Sequence, residues 1–555
     1  MSSLFFNRPS LRLGLAVLTL ALGACSVSDS APEEEARAQA IAMRDRELAL
    51  RERAAAEPQR KMVAAVVPPG PSPFYPGPQA EERDRFAPLL QNPLQRVVDA
   101  PVSTFSIDVD TASYSASRRW INYGRLPKPD MVRVEEWLNY FDYTYPVPEN
   151  AGVPFNTQVT VTDSPWHEGS KLLHIGIKGY EITPEQRPKA NLVFLVDVSG
   201  SMTAPDKLPL VTRALRMMLT EMNPDDRVAL VVYAGASGVV LPPTEVREKT
   251  RILQALDSLQ AGGGTAGAEG IELAYQLARE HFDKTAVNRV ILATDGDFNL
   301  GVSDDASLKA MISRQREQGI YLSVLGVGQG NYNDQLMQTL AQNGNGVAAY
   351  IDTLSEARKV LVTEASASLF TIAEDVKIQV EFNPATVQEY RLIGYETRAL
   401  EREDFNNDAV DAGEIGAGHT VTAIYEFTPA GTAPRIEPGR YEAAAGANVA
   451  TASHGDECAF VKLRYKRPGE KQSQLLEVPV AAGNSTALSV TTQQDVDFAV
   501  AVAGAAEILR GGKYSGNWTL EDAITLAQQS KGDDEFGYRA GFIQMLRQAS
   551  QNRKL

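Results

Sequence analysis

Hydrophobic and polar positions follow three rhythms along this chain, and each rhythm predicts a different kind of element. From Ala190 to about Phe370, short unbroken apolar runs such as Leu192-Val193-Phe194-Leu195-Val196 take turns with stretches of helical period. An unbroken apolar run suits a strand buried on both faces of a parallel sheet, so this alternation predicts a doubly wound, Rossmann-like α/β domain over residues 189–372. Its expected helices cover 208–222, 249–259, 268–282 and 308–318, and its expected strands include 228–233, 290–293 and 321–327. The flanks change to period two, at 104–110, 157–162 and 172–178 before the α/β domain and at 376–382, 419–427, 459–465 and 475–480 after it. If these two sets pair, the α/β domain is inserted into a β-sandwich whose halves flank it. The N-terminal flank, 101–188, also carries helical patterns at 118–123 and 134–143, and the β-rich flank covers 373–485. The last region, 486–555, is helical by periodicity at 495–510, 520–529 and 536–549.

The first hundred residues follow none of these rhythms. Arg8 and Arg12 precede an apolar run of about 10 residues, 13–22, whereas a spanning helix needs about 20. Residues 1–25 are therefore expected to be a signal peptide. Its end, Leu22-Gly23-Ala24-Cys25, resembles the bacterial lipobox, which implies lipid attachment at Cys25 and membrane association through that anchor alone. Ser26, rather than Asp, implies the outer membrane on its periplasmic side if the host is Gram-negative. Residues 26–100 are expected to be a tether, an Ala/Glu/Arg stretch followed by the proline-rich run of 68–78.

Composition narrows the function. Asp and Glu number 70 against 54 Lys and Arg, and a net charge of −16 argues against nucleic acid as a partner and favours divalent cations. With Cys25 lipidated, Cys458 has no second thiol for an internal disulfide. His167, His174, His281, His419 and His454 are scattered, and neither a His-Glu-x-x-His nor a Gly-x-Ser-x-Gly motif occurs, so no enzyme is expected; a hydrolase hidden in the flanks is a minor alternative.

The chemistry is expected at the ends of the buried strands. Asp197-Val198-Ser199-Gly200-Ser201 follows the first, Gly263-Gly264-Thr265 comes later, and Thr294-Asp295-Gly296-Asp297 ends another. This set resembles a von Willebrand factor type A domain with a metal-ion-dependent adhesion site. The resemblance implies one Mg²⁺ or Mn²⁺ surrounded by Asp197, Ser199, Ser201, Thr265 and Asp295; Asp297, two residues past the site, is expected to be solvated rather than to support the ligands. Hydroxyls suit a hard ion, and a site short of direct carboxylates leaves the metal electrophilic, so an acidic side chain of a partner protein can complete its shell.

Three weaker signals stand beside it. Gly262 to Gly267 is glycine-rich, but no Gly-Lys-Ser/Thr follows, which excludes a phosphate-binding loop. Asp404, Asn406 and Asp408 start like a Ca²⁺ loop, but Ala409 and Ile415 stand where Gly and Glu are needed, which favours a polar turn. Asp108 and Asp110 suggest a phosphoryl-transfer pair, yet Ala112 replaces the required Thr, so backbone acceptance or helix capping is the expected role.

Residues 103–114, 132–143, 413–425 and 536–539 also resemble bacterial lipoproteins in which a von Willebrand factor type A domain lies between family-specific regions. The expected function is partner binding through the metal. The alternative is an envelope scaffold whose flanks make the contacts while the metal only stabilises loops.

Overall fold

The computed structural model describes residues 84–148, 152–264, 267–296, 305–437, 439, 454–482 and 488–554, all within one unit, Gln79–Leu555. The signal peptide, Cys25 and residues 26–83 of the expected tether lie outside the described residues, as do Thr265 and Asp297.

The unbroken apolar runs form the middle of a six-stranded sheet in the order Ala348–Ile351, Ile320–Val327, Val287–Thr294, Ala190–Asp197, Arg227–Tyr233 and Ser237–Glu245. All pairs are parallel except the last, which is antiparallel and carries Pro242 and Pro243. Proline lacks the N–H that an inner strand needs, and an edge tolerates it. Helices cover both faces. Gly267–Glu280, Asp305–Glu317 and Asp334–Asn343 pack on one, and Leu208–Glu221, Lys249–Asp257 and Leu354–Arg358 on the other. The protein is thus α/β with the expected doubly wound domain at its centre.

The period-two strands on either side of this domain pair with each other. One antiparallel sheet runs Gln95–Arg96, Val387–Ile393, Thr420–Pro429, Lys171–Gly179 and Phe155–Asp163. The other runs Ala399–Leu400, Val102–Ser106, Thr371–Phe382, Glu457–Lys466 and Gln474–Ala481, with Gly413–Gly416 also on Thr371–Phe382. Their inner faces share one core containing Phe105, Ile175, Val380, Val421 and Leu463. A third layer is helical. Ala112–Asn122 and Val134–Leu138 pack with Val490–Leu509, Leu520–Gln529 and Tyr538–Lys554 through Tyr114, Trp137, Phe498 and Phe542.

Two expectations need correction. The tether was expected to run to residue 100, but Phe86 packs on the central core, Gln95–Arg96 forms a strand and Val97 is buried, so the folded body includes the chain from residue 84. The helix expected over 134–143 ends at Leu138. Tyr140 stacks on Tyr114 with ring centroids 3.9 Å apart, and Phe141 meets Phe498 edge-on, so burial of successive rings overrides helical period there.

Candidate metal centre

Asp197 is the last residue of the central strand Ala190–Asp197, where the parallel sheet ends and the chain turns outward. Its carboxylate is buried and held by three donors. The Ser199 backbone N–H donates to Oδ1 at 2.8 Å, and the hydroxyls of Tyr233 and Thr294 each donate to Oδ2 at 3.2 Å. Burial raises its pKa, and the Ser199 N–H pulls the other way. So held, both carboxylate oxygens of Asp197 are already engaged by protein donors.

The two serine hydroxyls that follow converge. Ser199 Oγ and Ser201 Oγ stand 3.0 Å apart. Adjacent ligands of an octahedral ion bound at about 2.1 Å are separated by roughly 3.0 Å, so this donor pair fits Mg²⁺ without rearrangement. The second loop is laced to the first, since Gly262 N–H donates to the Val198 carbonyl at 2.7 Å and Gly200 N–H to the Gly263 carbonyl at 3.1 Å. These bonds bring the chain to within two residues of Thr265 beside the serines.

Asp295 follows the strand Val287–Thr294, which pairs directly with Ala190–Asp197, and its carboxylate is buried. Gly296 after it has φ of +92°, and a Cβ there would lie 2.5 Å from Asn333 N and 2.7 Å from the Asn331 carbonyl. The 331–333 loop therefore packs directly on the turn that presents Asp295. Periodicity and motif did not disclose Lys207, whose Nζ donates to Asp295 Oδ2 at 2.8 Å. Tyr233 was also missed, although its place at the end of the neighbouring strand was a usable signal.

The structure thus brings Asp197, Ser199, Ser201 and Asp295 to one end of the sheet. It leaves the other candidates elsewhere. Asp408 Oδ1 accepts from Arg464 Nη2 at 3.0 Å, and Lys466 Nζ donates to the Asp408 carbonyl at 2.8 Å. Lys377 Nζ bonds the carbonyls of Asp404 and Asn407 at 3.0 and 2.6 Å. Protein cations thus already serve the loop considered for Ca²⁺. Asp108 and Asp110 accept backbone N–H groups of Asp110 and Ala348 and pair with Arg398, while the helix Ala112–Asn122 takes no side-chain cap from Thr111. Cavities of about 260 and 330 Å³ lie between the layers, the first beside Asp110 and Arg398 and the second beside Lys359 and Tyr538. Neither is lined by Asp197, Ser199, Ser201 or Asp295.

Comparison with known proteins agrees with this architecture. The von Willebrand factor type A domain family matches residues 191–363, a further von Willebrand factor family matches 80–174, and the family described as "Uncharacterized protein YfbK, C-terminal" matches 367–551. None of these descriptions names a catalytic domain. YfbK of Escherichia coli K12 is 44% identical over 468 residues, covering 83% of this chain and 80% of that protein. A UPF0353 protein of Mycobacterium avium is 28% identical over 203 residues, 32% of this chain and 60% of its own length. Among solved structures, a von Willebrand factor type A protein from Catenulispora acidiphila aligns over 73% of this chain and 91% of its own, with 16% identity and a TM-score of 0.39. BatB from Bacteroides thetaiotaomicron aligns over 32% of this chain and 97% of its own, with 23% identity and a TM-score of 0.28. By its identity to YfbK over most of both chains, the protein belongs to the YfbK family of von Willebrand factor type A domain proteins.

Proposed function

We propose that the protein is a cell-envelope lipoprotein, anchored through Cys25, that captures an acidic side chain of a partner protein at a divalent-metal site formed by Asp197, Ser199, Ser201, Thr265 and Asp295. The observation that carries this reading is the serine pair 3.0 Å apart beside two buried aspartates. When bound, Mg²⁺ or Mn²⁺ would supply a coordination position open to an incoming carboxylate. The chain's own residues do the rest. Asp197 fixes the Ser199 backbone, the two hydroxyls offer neutral donors, and the carboxylates offset the ion's charge.

Calorimetry of the full-length protein in detergent should show Mg²⁺ binding, and Asp197→Ala should abolish it; a wild type that binds neither Mg²⁺ nor Mn²⁺ does not capture its partner through the ion. The anchor is tested separately. Cys25→Ser should lose radiolabelled fatty acid and leave the membrane fraction, whereas retention of both would refute lipidation at that residue. Among the described residues no helix is long and apolar enough to cross a membrane, so the anchor carries the localisation reading.

A second reading, the structural scaffold, draws on the ion pairs that lock the flanks to the central domain. Arg118 reaches Asp352 at 2.5 Å and Glu356 at 2.8 Å, and Arg133 grips Asp334 at 2.7 and 3.0 Å. Partner crosslinking that persists in chelator and in Asp295→Ala would favour the scaffold over metal-mediated capture.

A further inference from the structure

We infer that Lys207 is a built-in cation of the metal centre that weakens its hold on divalent ions and keeps the ion-free site folded; this rests on the metal site proposed above. Lys207 stands just before the helix Leu208–Glu221, and its carbonyl accepts from Leu210 and Val211 N–H at 2.9 Å each, which fixes its backbone. Its side chain is buried and runs beneath Gly328 to place Nζ 2.8 Å from Asp295 Oδ2. A Cβ at Gly328 would lie 2.3, 2.4 and 2.8 Å from Lys207 Cε, Cγ and Cδ. The path is therefore walled by a residue that must be glycine, at a φ of +70°.

That wall is itself held in place. The Gly328 carbonyl accepts from Arg119 Nη1 at 2.6 Å and from the Tyr350 hydroxyl. Asp84 Oδ1 accepts from Gly330 N–H at 3.1 Å and from Tyr332 N–H at 3.0 Å. The ammonium is thus positioned by groups from four parts of the chain, at Asp84, Arg119, 328–332 and Tyr350.

The electrostatic consequence follows from the donor set. The serine hydroxyls are neutral, so among the described site residues attraction for a divalent ion comes from Asp197 and Asp295. An ammonium on Asp295 cancels one of those two charges and repels an ion approaching the same carboxylate. At the effective dielectric of a protein surface, a unit charge a few ångströms from a divalent ion changes affinity by roughly tenfold or more. Without an ion, the same ammonium compensates the charge of the buried Asp295 carboxylate.

The test is Mn²⁺ and Mg²⁺ calorimetry on the full-length protein, Lys207→Met and Gly328→Ala, with thermal unfolding in chelator and in excess Mg²⁺. Lys207→Met should bind about tenfold more tightly or better, melt earlier than wild type in chelator, and gain more Tm from Mg²⁺. Gly328→Ala, whose methyl displaces the lysine without touching either aspartate, should shift affinity in the same direction. Were Lys207 only a positioning residue for Asp295, binding would weaken in both, and an unchanged or weaker affinity overturns the inference. If Lys207→Met does not fold, Gly328→Ala decides by the same criterion. Binding by a variant where the wild type shows none also supports the inference, whereas no binding by any of the three refutes the metal site itself.

Discussion

Glu135 and Glu136 lie in the first turn of the five-residue helix Val134–Leu138, and both are fully buried. Glu136 Oε2 accepts the Ser113 N–H at 2.7 Å, supplying from a different element the cap that Thr111 does not give to the helix Ala112–Asn122. Burial, and then the neighbouring Glu396, pushes the Glu135 carboxyl up to about 8. The folded protein keeps this proton well past the pH at which the unfolded chain releases it. Its stabilising contribution is therefore complete below the ordinary value of 4.5 and is lost as pH rises through about 8. Glu135→Gln should flatten that slope. In urea unfolding between pH 5 and pH 8, wild type should lose on the order of a few kcal/mol that the variant keeps; parallel profiles would refute the buried proton. Nothing local in the sequence marks these two acids as buried, because consecutive carboxylates at a helix start ordinarily face solvent. The proposed metal ligands are legible for the opposite reason. Asp197, Ser199 and Ser201 are spaced as a motif behind a recognisable strand, whereas Lys207 meets Asp295 across a separation of 88 residues.

At the scale of elements, pattern was most reliable where burial is symmetric. Ala190–Asp197 is buried at every position and reads as an unbroken apolar run. The expected strands and helices of the central domain lie within a few residues of the observed ones. The elements that were missed are the ones whose signal is diluted. Asp334–Asn343 interleaves Leu336, Met337 and Leu340 with glutamines, and Ala348–Ile351 is only four residues long. Ser237–Glu245 hides behind its prolines, which exclude an inner strand but not an edge. Residues 84–100 were assigned to the spacer by composition alone. What places them in the fold is pairing with Tyr390 and Glu389 and bonding to Tyr332, partners far along the chain that no local pattern reports.

For the whole molecule, the insertion makes the flanks and the central domain mutually dependent. Ala112, Ala116 and Trp120 of the N-terminal flank lie in the same core as Val193, Leu292 and Tyr350 of the inserted domain. Strands from both flanks complete the same two sheets, so neither flank can finish its core alone. All four tryptophans, at 120, 137, 166 and 518, lie outside the inserted domain. Trp120 shares the insert's core, but Trp137, Trp166 and Trp518 belong to the flanking helical core, so in Trp120→Phe the fluorescence reports the flanks while the proposed Mg²⁺ site lies in the insert. If the body unfolds as one unit, Mg²⁺ at a hundred times its Kd should stabilise the fluorescence transition by about 2.7 kcal/mol. A fluorescence midpoint indifferent to Mg²⁺, with calorimetric binding intact, would show that the parts unfold separately. The way the chain enters this body adds a mechanical dimension. Asp84 and Arg85 are bonded to Gly330, Tyr332 and Asp334, in the stretch that packs against Gly296 and walls in Lys207. Tension on the chain ahead of Asp84 is thus borne first by a handful of hydrogen bonds beside Asp295, and it meets the loops of the proposed metal site before it reaches any sheet.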